Sequence, residues 1–235
     1  MTIGVAIPCY HGHISNLFTL LDSIQLQSVL PDKVVVSCSS TSCDNNKIYS
    51  LALEKIDNKV YSFPLELIFI EEKKNAAQNR NIAAAKMDDM DLITFIDADD
   101  IMHPQRIEIL LLVIKNYNSD IILHNYYNES EISTRYNFEK IEYIIVRENL
   151  LVQSWSGCIT HSPGHNDLID KIHHSQVTVK KEIFEKVKFP EEIEYNRKED
   201  STFCYRVFSL PDIQNAYVQN KLSYYKPSKT GGYKC

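Results

Sequence analysis

The amino-acid sequence predicts an α/β fold, in which helices cover both faces of a doubly wound, mostly parallel sheet. One observation supports this prediction, and a second excludes two variants of the fold. In the first half of the chain, short apolar or β-branched runs alternate with longer segments whose apolar residues recur at helical spacing. The 235 residues include only 6 glycines, and these form neither a GxGxxG nor a GxxxxGK[ST] loop. The sequence therefore argues against the dinucleotide-binding and P-loop variants of such sheets.

Strands and helices alternate through the first half of the chain. The predicted strands are Ile3–Ile7, Val34–Val36, Leu65–Ile70, Leu92–Ile96 and Asp120–His124. The predicted helices are Ser15–Leu26, Ile48–Ile56, Asn75–Met87 and the segment from Pro104 to Lys115. Proline suits a first helical turn because it lacks the N–H that a helix leaves unpaired there. Ligands of doubly wound sheets bind at the carboxyl ends of the strands, so we expect functional residues just after the predicted strands end.

The second half of the chain is less regular. Its predicted strands are Ile141–Val146 and Gln176–Val179, and its predicted helices are Lys181–Lys186 and Glu199–Phe208. The polar segments Tyr126–Thr134 and Ser154–Asp167 are predicted as loops, and Ser228–Cys235 as a mobile tail. We find no internal repeat and no low-complexity linker between the halves, which favours a single domain.

Composition and charge exclude several classes of protein. The net charge of −6 argues against a nucleic-acid binder that neutralises many phosphates. The longest apolar stretch, Ile107–Ile114, is interrupted at Glu108 and is far shorter than the roughly 20 residues that span a bilayer. No signal peptide is visible at the N-terminus, and the cysteines contain no CxxC pair. We expect a soluble cytoplasmic protein with reduced thiols, able to work beside a membrane, and without a zinc site.

Three carboxylates follow the fourth predicted strand, in the sequence Phe95-Ile96-Asp97-Ala98-Asp99-Asp100. Clustered carboxylates repel one another unless a cation neutralises them. Mg²⁺ and Mn²⁺ prefer oxygen ligands and often share them with substrate phosphates. The alternative is that one of these aspartates only caps the next helix. The position at a strand end favours the metal site.

The histidines are expected to be structural or solvated in general, and the chain has no HExxH motif that would indicate a zinc hydrolase. Three of them lie close to the predicted site. His11 and His13 follow the first strand, where they could face substrate phosphates. His103 lies four residues after Asp99 and could join a metal shell.

Five short motifs, in order, resemble those of family 2 glycosyltransferases of the GT-A fold. They are Pro8-Cys9-Tyr10, Ser23-Ile24-Gln25-Leu26-Gln27-Ser28, Arg80-Asn81-Ile82-Ala83, Asp97-Ala98-Asp99-Asp100 and Glu199-Asp200. The resemblance extends to about Lys226. It implies a GT-A-type sheet with a nucleotide-sugar-binding half over residues 1–125. It also implies a smaller acceptor and catalytic-base half over residues 126–226, followed by the tail 227–235.

The resemblance implies a metal-dependent inverting transfer of a sugar from a nucleotide-diphosphate sugar to a hydroxyl of a glycan or related acceptor. Asp99 would bind the metal, Mn²⁺ or Mg²⁺, and Asp200 would act as general base on the acceptor hydroxyl. Asp97 would contact the ribose. The residues implied for donor binding are Pro8, Tyr10, Arg80, Asp97 and Ala98, with Arg80 reaching the base. The alternative for Glu199-Asp200 is an ordinary helix start, where acidic residues meet the positive end of the helix dipole.

One segment departs from the family pattern. The family usually places an acidic residue after the second strand, but this chain has Val36-Ser37-Cys38-Ser39 there. Ser37 or Ser39 can still hydrogen-bond a base edge. A UDP-sugar is therefore the favoured donor, although the base is not fixed. Two other functions remain as alternatives: a nucleotidyltransferase acting on sugar phosphates, and a non-catalytic nucleotide-sugar-binding module.

The C-terminal segment Lys221–Lys226 combines aromatic and basic residues. One of its tyrosines or lysines could contact the diphosphate, or the segment could simply pack on the sheet edge. Trp155, in a predicted loop, is a candidate for acceptor binding or for local packing.

Overall fold

The structure, a computed structural model, describes residues 1–39, 54, 59–127, 138–148, 151–152, 159–160, 177–195 and 198–225. The strands are β1 (Ile3–Tyr10), β2 (Lys33–Ser39), β3 (Leu65–Ile70), β4 (Leu92–Phe95), β5 (Ile101–Met102), β6 (Ile121–Tyr127), β7 (Val146–Glu148), β8 (Leu151–Val152), β9 (Ile159–Thr160), β10 (Val177–Lys180) and β11 (Asn215–Tyr224). The α-helices are α1 (Ile14–Gln25), α2 (Ala76–Ala84), α3 (Arg106–Tyr117), α4 (Lys181–Lys186) and α5 (Glu199–Phe208). Short 3₁₀ turns cover His11–His13 and Ile193–Tyr195.

Nine of the described strands form one sheet, in the order β3-β2-β1-β4-β10-β6-β11-β5, with β7 also paired to β11. Strands β3, β2, β1 and β4 are all parallel. Beyond β4 the pairing is mixed, because β10 runs antiparallel to both β4 and β6, while β6 and β11 are parallel. The predicted α/β fold with a central sheet flanked by helices is confirmed. The parallel pattern holds where strands and helices alternate along the chain and ends where that alternation ends.

The sheet separates two helical layers, each with its own core. Helices α1 and α3 cover one face, and α2, α4 and α5 cover the other. Successive side chains of a strand point to opposite faces, and β1 follows this rule. Ile3, Val5 and Ile7 enter the core under α1 and α3, whereas Gly4 and Ala6 face the α2 layer. A Cβ at Gly4 would lie 2.6 Å from the sulfur of Met87, so the missing side chain gives room to the turn after α2.

Most predicted elements appear in the structure, and β3, α4 and α5 have the predicted bounds. The prediction of a strand over Ile141–Val146 was largely wrong, because β7 begins only at Val146. Side chains instead bind this segment: Gln105 bonds both backbone groups of Ile141, and Asn220 accepts from the N–H of Ile145. The loop prediction over Tyr126–Thr134 is wrong for its first two residues, because β6 continues to Tyr127, and residues 128–134 lie outside the described ones.

Some predictions fall on residues outside the described ones. They are the helix Ile48–Ile56 apart from Glu54, the tail Ser228–Cys235, Trp155, and the loop Ser154–Asp167 apart from strand β9. The division into halves and a tail also stays a prediction. Within the described part of the chain, no helix is both long enough and apolar enough to cross a bilayer.

Candidate active site

The acidic loop, residues Asp97 to Asp100, lies at the carboxyl end of β4, beside the end of β1. The backbone N–H of Asp100 donates to the carbonyl of Asp97 at 3.1 Å, which closes a turn. The side chains of Asp97 and Asp99 are 25% and 12% exposed, whereas Asp100 is buried. Two carboxylates at a strand end therefore remain accessible to a ligand, at the place where the sheet rule predicts one.

Arg80 connects this loop to the start of α5. Its side chain is only 1% exposed, with Nη2 lying 3.4 Å from Asp97 Oδ1 and Nη1 3.1 Å from Glu199 Oε1. The guanidinium also lies over the ring of Phe189, 5.3 Å from its centroid. Burial alone lowers the pKa of Arg80, but the carboxylates of Asp97, Glu199 and Asp200 outweigh burial and raise it. Three of the predicted motifs thus meet at one buried cation.

Helix α2 holds Arg80 in this position through its own anchoring. Asn75 accepts from the N–H of Gln78 at 2.8 Å, and Gln78 accepts from the N–H of Asn75 at 2.9 Å, which forms a capping box. Asn81, next to Arg80, clamps the backbone of Phe189: it donates to the carbonyl at 2.9 Å and accepts from the N–H at 3.1 Å. The sequence analysis quoted Asn81 within a motif but gave it no role. This geometry supports a positioning role for Arg80, and contact with a nucleotide base stays a prediction without structural support.

Asp200 lies in the first turn of α5, where it accepts from the N–H of Ser201 at 2.7 Å. The helix-start interpretation is therefore correct for its position and does not exclude a chemical role. Its charge raises the pKa of Arg80, which places it near that guanidinium. Helix α5 is fixed below by Phe203, whose ring stacks on Phe189 at 4.2 Å between centroids. The base candidate is thus attached to a rigid aromatic cluster that also contains Phe95 of β4.

A second buried arginine, Arg106, lies on the other side of the acidic loop. It begins α3, is fully buried, and donates from Nη2 to Thr94 Oγ1 at 2.8 Å and to the Phe95 carbonyl at 2.9 Å. Burial lowers the pKa of Arg106 to about 9, although the charge of Asp100 acts against this. Sequence reasoning missed Arg106, because one arginine at the start of an apolar helix normally indicates an exposed end.

The 3₁₀ turn after β1 brings Tyr10, His11 and His13 beside the acidic loop. His13 Nδ1 lies 3.7 Å from Asp99 Oδ2. The ring of Tyr10 lies 4.0 Å from that of His11 and 6.0 Å from that of His13, between centroids. Burial, and then the charge of His13, lower the pKa of His11. The prediction that these histidines lie at the site is consistent with this arrangement.

His103 does not join a metal shell, which corrects the sequence-based expectation. Its Nε2 lies 3.1 Å from the Glu139 carbonyl, and its Nδ1 accepts from the N–H of Gln105 at 3.1 Å. Both ring nitrogens are therefore used by the backbone. Burial lowers the pKa of His103, in keeping with a neutral structural histidine.

The remaining predicted donor residues lie mostly inside the protein. Ser37 is fully buried and donates to Asn79 Oδ1 at 2.9 Å, while Asn79 Nδ2 donates to Ser39 Oγ at 2.9 Å. This buried chain joins β2 to α2 and gives no support to Ser37 as a base contact, which stays a prediction. Pro8 and Ala98 are also buried, whereas Tyr10 is half-buried.

The C-terminal segment also approaches the acidic loop. Burial, followed by the charges of Asp100, Asp97 and Asp99, raises the pKa of Tyr225 to about 12. The Tyr225 ring packs edge-on against Tyr126, 5.8 Å between centroids. The segment thus lies where one of its side chains can meet a ligand of the loop.

The side-chain oxygen and nitrogen atoms at the acidic loop fit a divalent cation whose remaining ligands come from a substrate. In the part of the chain that the structure describes, no three His, Cys, Asp or Glu side chains form a metal cage. Asp97 and Asp99 offer carboxylate oxygens, and His13 adds an imidazole nitrogen beside them. Mg²⁺ and Mn²⁺ at phosphate-binding sites commonly take one or two protein carboxylates and complete their shell with phosphate oxygens and water.

Comparison with known proteins identifies the family of this chain. The fold is that of the GT-A-type glycosyltransferases. The model of the family described as Glycosyl transferase family 2 matches residues 4–177, and the chain belongs to this family. This confirms the resemblance to family 2 glycosyltransferases; the fifth motif, Glu199-Asp200, lies beyond the matched residues.

Individual relatives are similar in part. The Glycosyltransferase GlyG of Streptococcus pneumoniae serotype 4 is 28% identical over 138 residues, which cover 58% of this chain and 42% of that protein. Crystal structures of S. aureus TarS match the fold. The 1–349 fragment in complex with UDP gives a TM-score of 0.66 at 18% identity, covering 96% of this chain and 60% of that one. The complex with UDP-GlcNAc gives 0.66 at 18%, covering 96% and 58%. The chain thus spans less than two thirds of each of these relatives.

Proposed function

We propose that this chain transfers a sugar from a nucleotide-diphosphate sugar to a hydroxyl of a glycan or related acceptor, with inversion and with dependence on Mn²⁺ or Mg²⁺. The observation that supports this most is the ion network of Arg80, which ties the loop of Asp97 to the helix start at Glu199. The network joins the candidate metal loop to the helix start that carries the candidate base through one buried cation. A UDP-sugar is the favoured donor, since the similar TarS structures carry UDP or UDP-GlcNAc.

The donor side of the site is built from the loop after β4 and the turn after β1. Asp97 would accept from the ribose hydroxyls, with Arg80 fixing its orientation from below. Tyr10, half-buried at the end of β1, offers an aromatic face beside the nucleoside. Asp99 would hold the divalent cation, which supplies Lewis-acid neutralisation of the charge developing on the leaving diphosphate.

The acceptor side depends on Asp200. In the proposed step the acceptor oxygen forms a bond to the anomeric carbon while the bond from that carbon to the diphosphate oxygen breaks. The acceptor proton moves to the Asp200 carboxylate, and the nucleoside diphosphate leaves with the bonding electron pair. A sugar hydroxyl is a weak nucleophile, so a positioned carboxylate contributes about 10²–10⁴-fold. Asp200 interacts electrostatically with the buried cation Arg80, and its carboxylate is the group that would accept the proton.

The test separates donor binding from chemistry. We expect UDP with Mn²⁺ to raise the thermal unfolding midpoint of the wild type, because a ligand that binds only the folded state stabilises it. Asp200→Asn should keep this shift yet lose about 10²–10⁴-fold in kcat for transfer from UDP-sugars to glycan acceptors. Asp99→Ala should lose the metal-dependent part of the shift.

Asp89→Asn is a matched control, since Asp89 is an exposed aspartate in the turn before β4. We expect it to leave both readouts unchanged. Undiminished transfer by Asp200→Asn would contradict the proposed base. Release of pyrophosphate in place of a nucleoside diphosphate would contradict glycosyl transfer itself.

A further inference from the structure

His13 occupies an unusual position at the acidic loop. It ends the 3₁₀ turn after β1 and takes the N-cap position of α1, but its side chain makes no capping hydrogen bond. Nδ1 instead faces Asp99 Oδ2 at 3.7 Å, with the two side chains 28% and 12% exposed. The turn thus directs an imidazole nitrogen and a carboxylate oxygen from two different loops to one accessible point.

The other aspartates of the loop have different surroundings. Asp97 is paired with the buried cation Arg80, and the charge of Asp100 acts on the buried cation Arg106. Asp99 faces an imidazole. Two of the three carboxylates are thus near fixed positive charges of the protein, whereas the third lies beside an imidazole, a side chain of the type that most commonly ligates metals.

The separation of the two atoms also fits a shared ligand. At 3.7 Å it exceeds the 2.7–3.2 Å of an ordinary N–H···O hydrogen bond. Adjacent ligands on an octahedral ion, each at about 2.1 Å from the metal, lie roughly 3.0 Å apart. A small rotation of the partly exposed imidazole closes this difference. Gly12 helps to shape the turn, because a Cβ there would lie 2.9 Å from Tyr10 Cε1 and displace the ring that packs on His13.

We propose that His13 is a nitrogen ligand of the divalent cation held by Asp99, which rests on the proposed function. The protein then supplies one imidazole and one carboxylate, and diphosphate oxygens and water complete the shell. An imidazole ligand favours Mn²⁺ over Mg²⁺, since Mg²⁺ takes oxygen ligands almost exclusively, whereas Mn²⁺ is a transition-metal ion that accepts an imidazole nitrogen beside oxygen ligands. His13 therefore decides between the two metals that the acidic loop alone leaves open.

The test is the coordination of Mn²⁺ in the complex with UDP, measured by electron spin-echo envelope modulation. Uniformly ¹⁵N-labelled UDP keeps the uracil nitrogens out of the ¹⁴N spectrum. We expect a directly coordinated ¹⁴N in the wild type, its loss in His13→Gln, and its retention in the matched control His11→Gln. Mn²⁺ affinity in the presence of UDP should fall at least tenfold in His13→Gln, and Mg²⁺ affinity should fall less.

His13→Asp guards against a variant that simply folds poorly. It replaces the nitrogen by an oxygen ligand, so we expect retained Mn²⁺ binding, no coordinated ¹⁴N, and a shift of preference towards Mg²⁺. UDP-dependent Mn²⁺ binding without coordinated ¹⁴N in the wild type would overturn the role of His13 alone. A lack of Mn²⁺ binding with UDP, GDP, CDP and dTDP alike would overturn the proposed function as well.

Discussion

The acidic loop is flanked by two buried arginines from different helical layers, and their surroundings are opposite in kind. On the α2 side, Arg80 is matched by Asp97 and Glu199, and these carboxylates raise its pKa in spite of burial. On the α3 side, Arg106 donates to a hydroxyl and a backbone carbonyl, and burial lowers its pKa to about 9. On the α2 side the buried cation is paired with carboxylates. On the α3 side the buried cation has lost its hydration and hydrogen-bonds mainly to neutral groups.

This difference indicates a division of roles. A buried charge with charged partners is strongly coupled to their positions, because removing one partner leaves the others uncompensated. Arg80 therefore fixes the relative placement of the loop and α5. Arg106 has mostly neutral partners, so it contributes less to that placement. His103, also on the α3 side, has its pKa lowered by burial as well.

The largest expected effect is that of Arg80→Met. It would leave Asp97 and Glu199 without their buried partner and should lower the free energy of unfolding by about 3–5 kcal/mol, measured by urea denaturation at pH 7. Arg80→Lys keeps the charge but loses the two-pronged geometry, so it should recover part of the stability. A loss below about 1 kcal/mol for Arg80→Met would show that the carboxylates are not held by this cation.

A smaller effect is expected for Arg106→Met. This change removes a charge that burial already disfavours, and it costs mainly the hydrogen bonds to Thr94 and Phe95, about 1–3 kcal/mol. Adding Asp100→Asn to Arg106→Met should recover part of the loss, because it removes the buried negative charge that Arg106 faces. Urea denaturation of the two single variants and the double variant checks this. A loss as large as that of Arg80→Met would contradict the contrast between the two sides.

The sequence predicted the position of the acidic loop in the sheet better than the partners of the charged side chains around it. The resemblance to family 2 glycosyltransferases supplied Asp200. Strand ends placed Asp97 and Asp99 at the carboxyl edge of the sheet, and the bounds of β3 and α5 were predicted correctly. These features depend on local periodicity and on a general rule of parallel sheets, and both can be read from the sequence.

The partners of the charged groups could not be predicted in this way. Arg80 bonds residues 17 and 119 positions away, and Arg106 reaches back 12 positions to Thr94. Ser37 seemed suited to a base edge, but the packing of α2 against β2 turns it towards Asn79. Contacts of this kind depend on which helix covers which face, and the local pattern of a single sequence does not specify that.

His103 gives a pH-dependent test of the α3 side, with the smallest expected effect. In the folded protein its Nδ1 accepts from the N–H of Gln105 and its Nε2 faces the Glu139 carbonyl, an arrangement that needs the neutral ring. Burial lowers its pKa below 6.5, so as the pH falls below 6.5 the unfolded chain binds the proton first. Stability therefore falls with pH in this window, with a slope of at most about 1.4 kcal/mol per pH unit for one proton. We expect His103→Gln to have a shallower slope between pH 7 and pH 5 in urea denaturation. Above pH 7.5, where neither state takes up this proton, the two slopes should agree. Equal slopes below pH 6.5 would show that burial does not oppose the charging of His103, and the contrast with the charge-matched α2 side would then rest on Arg106 alone.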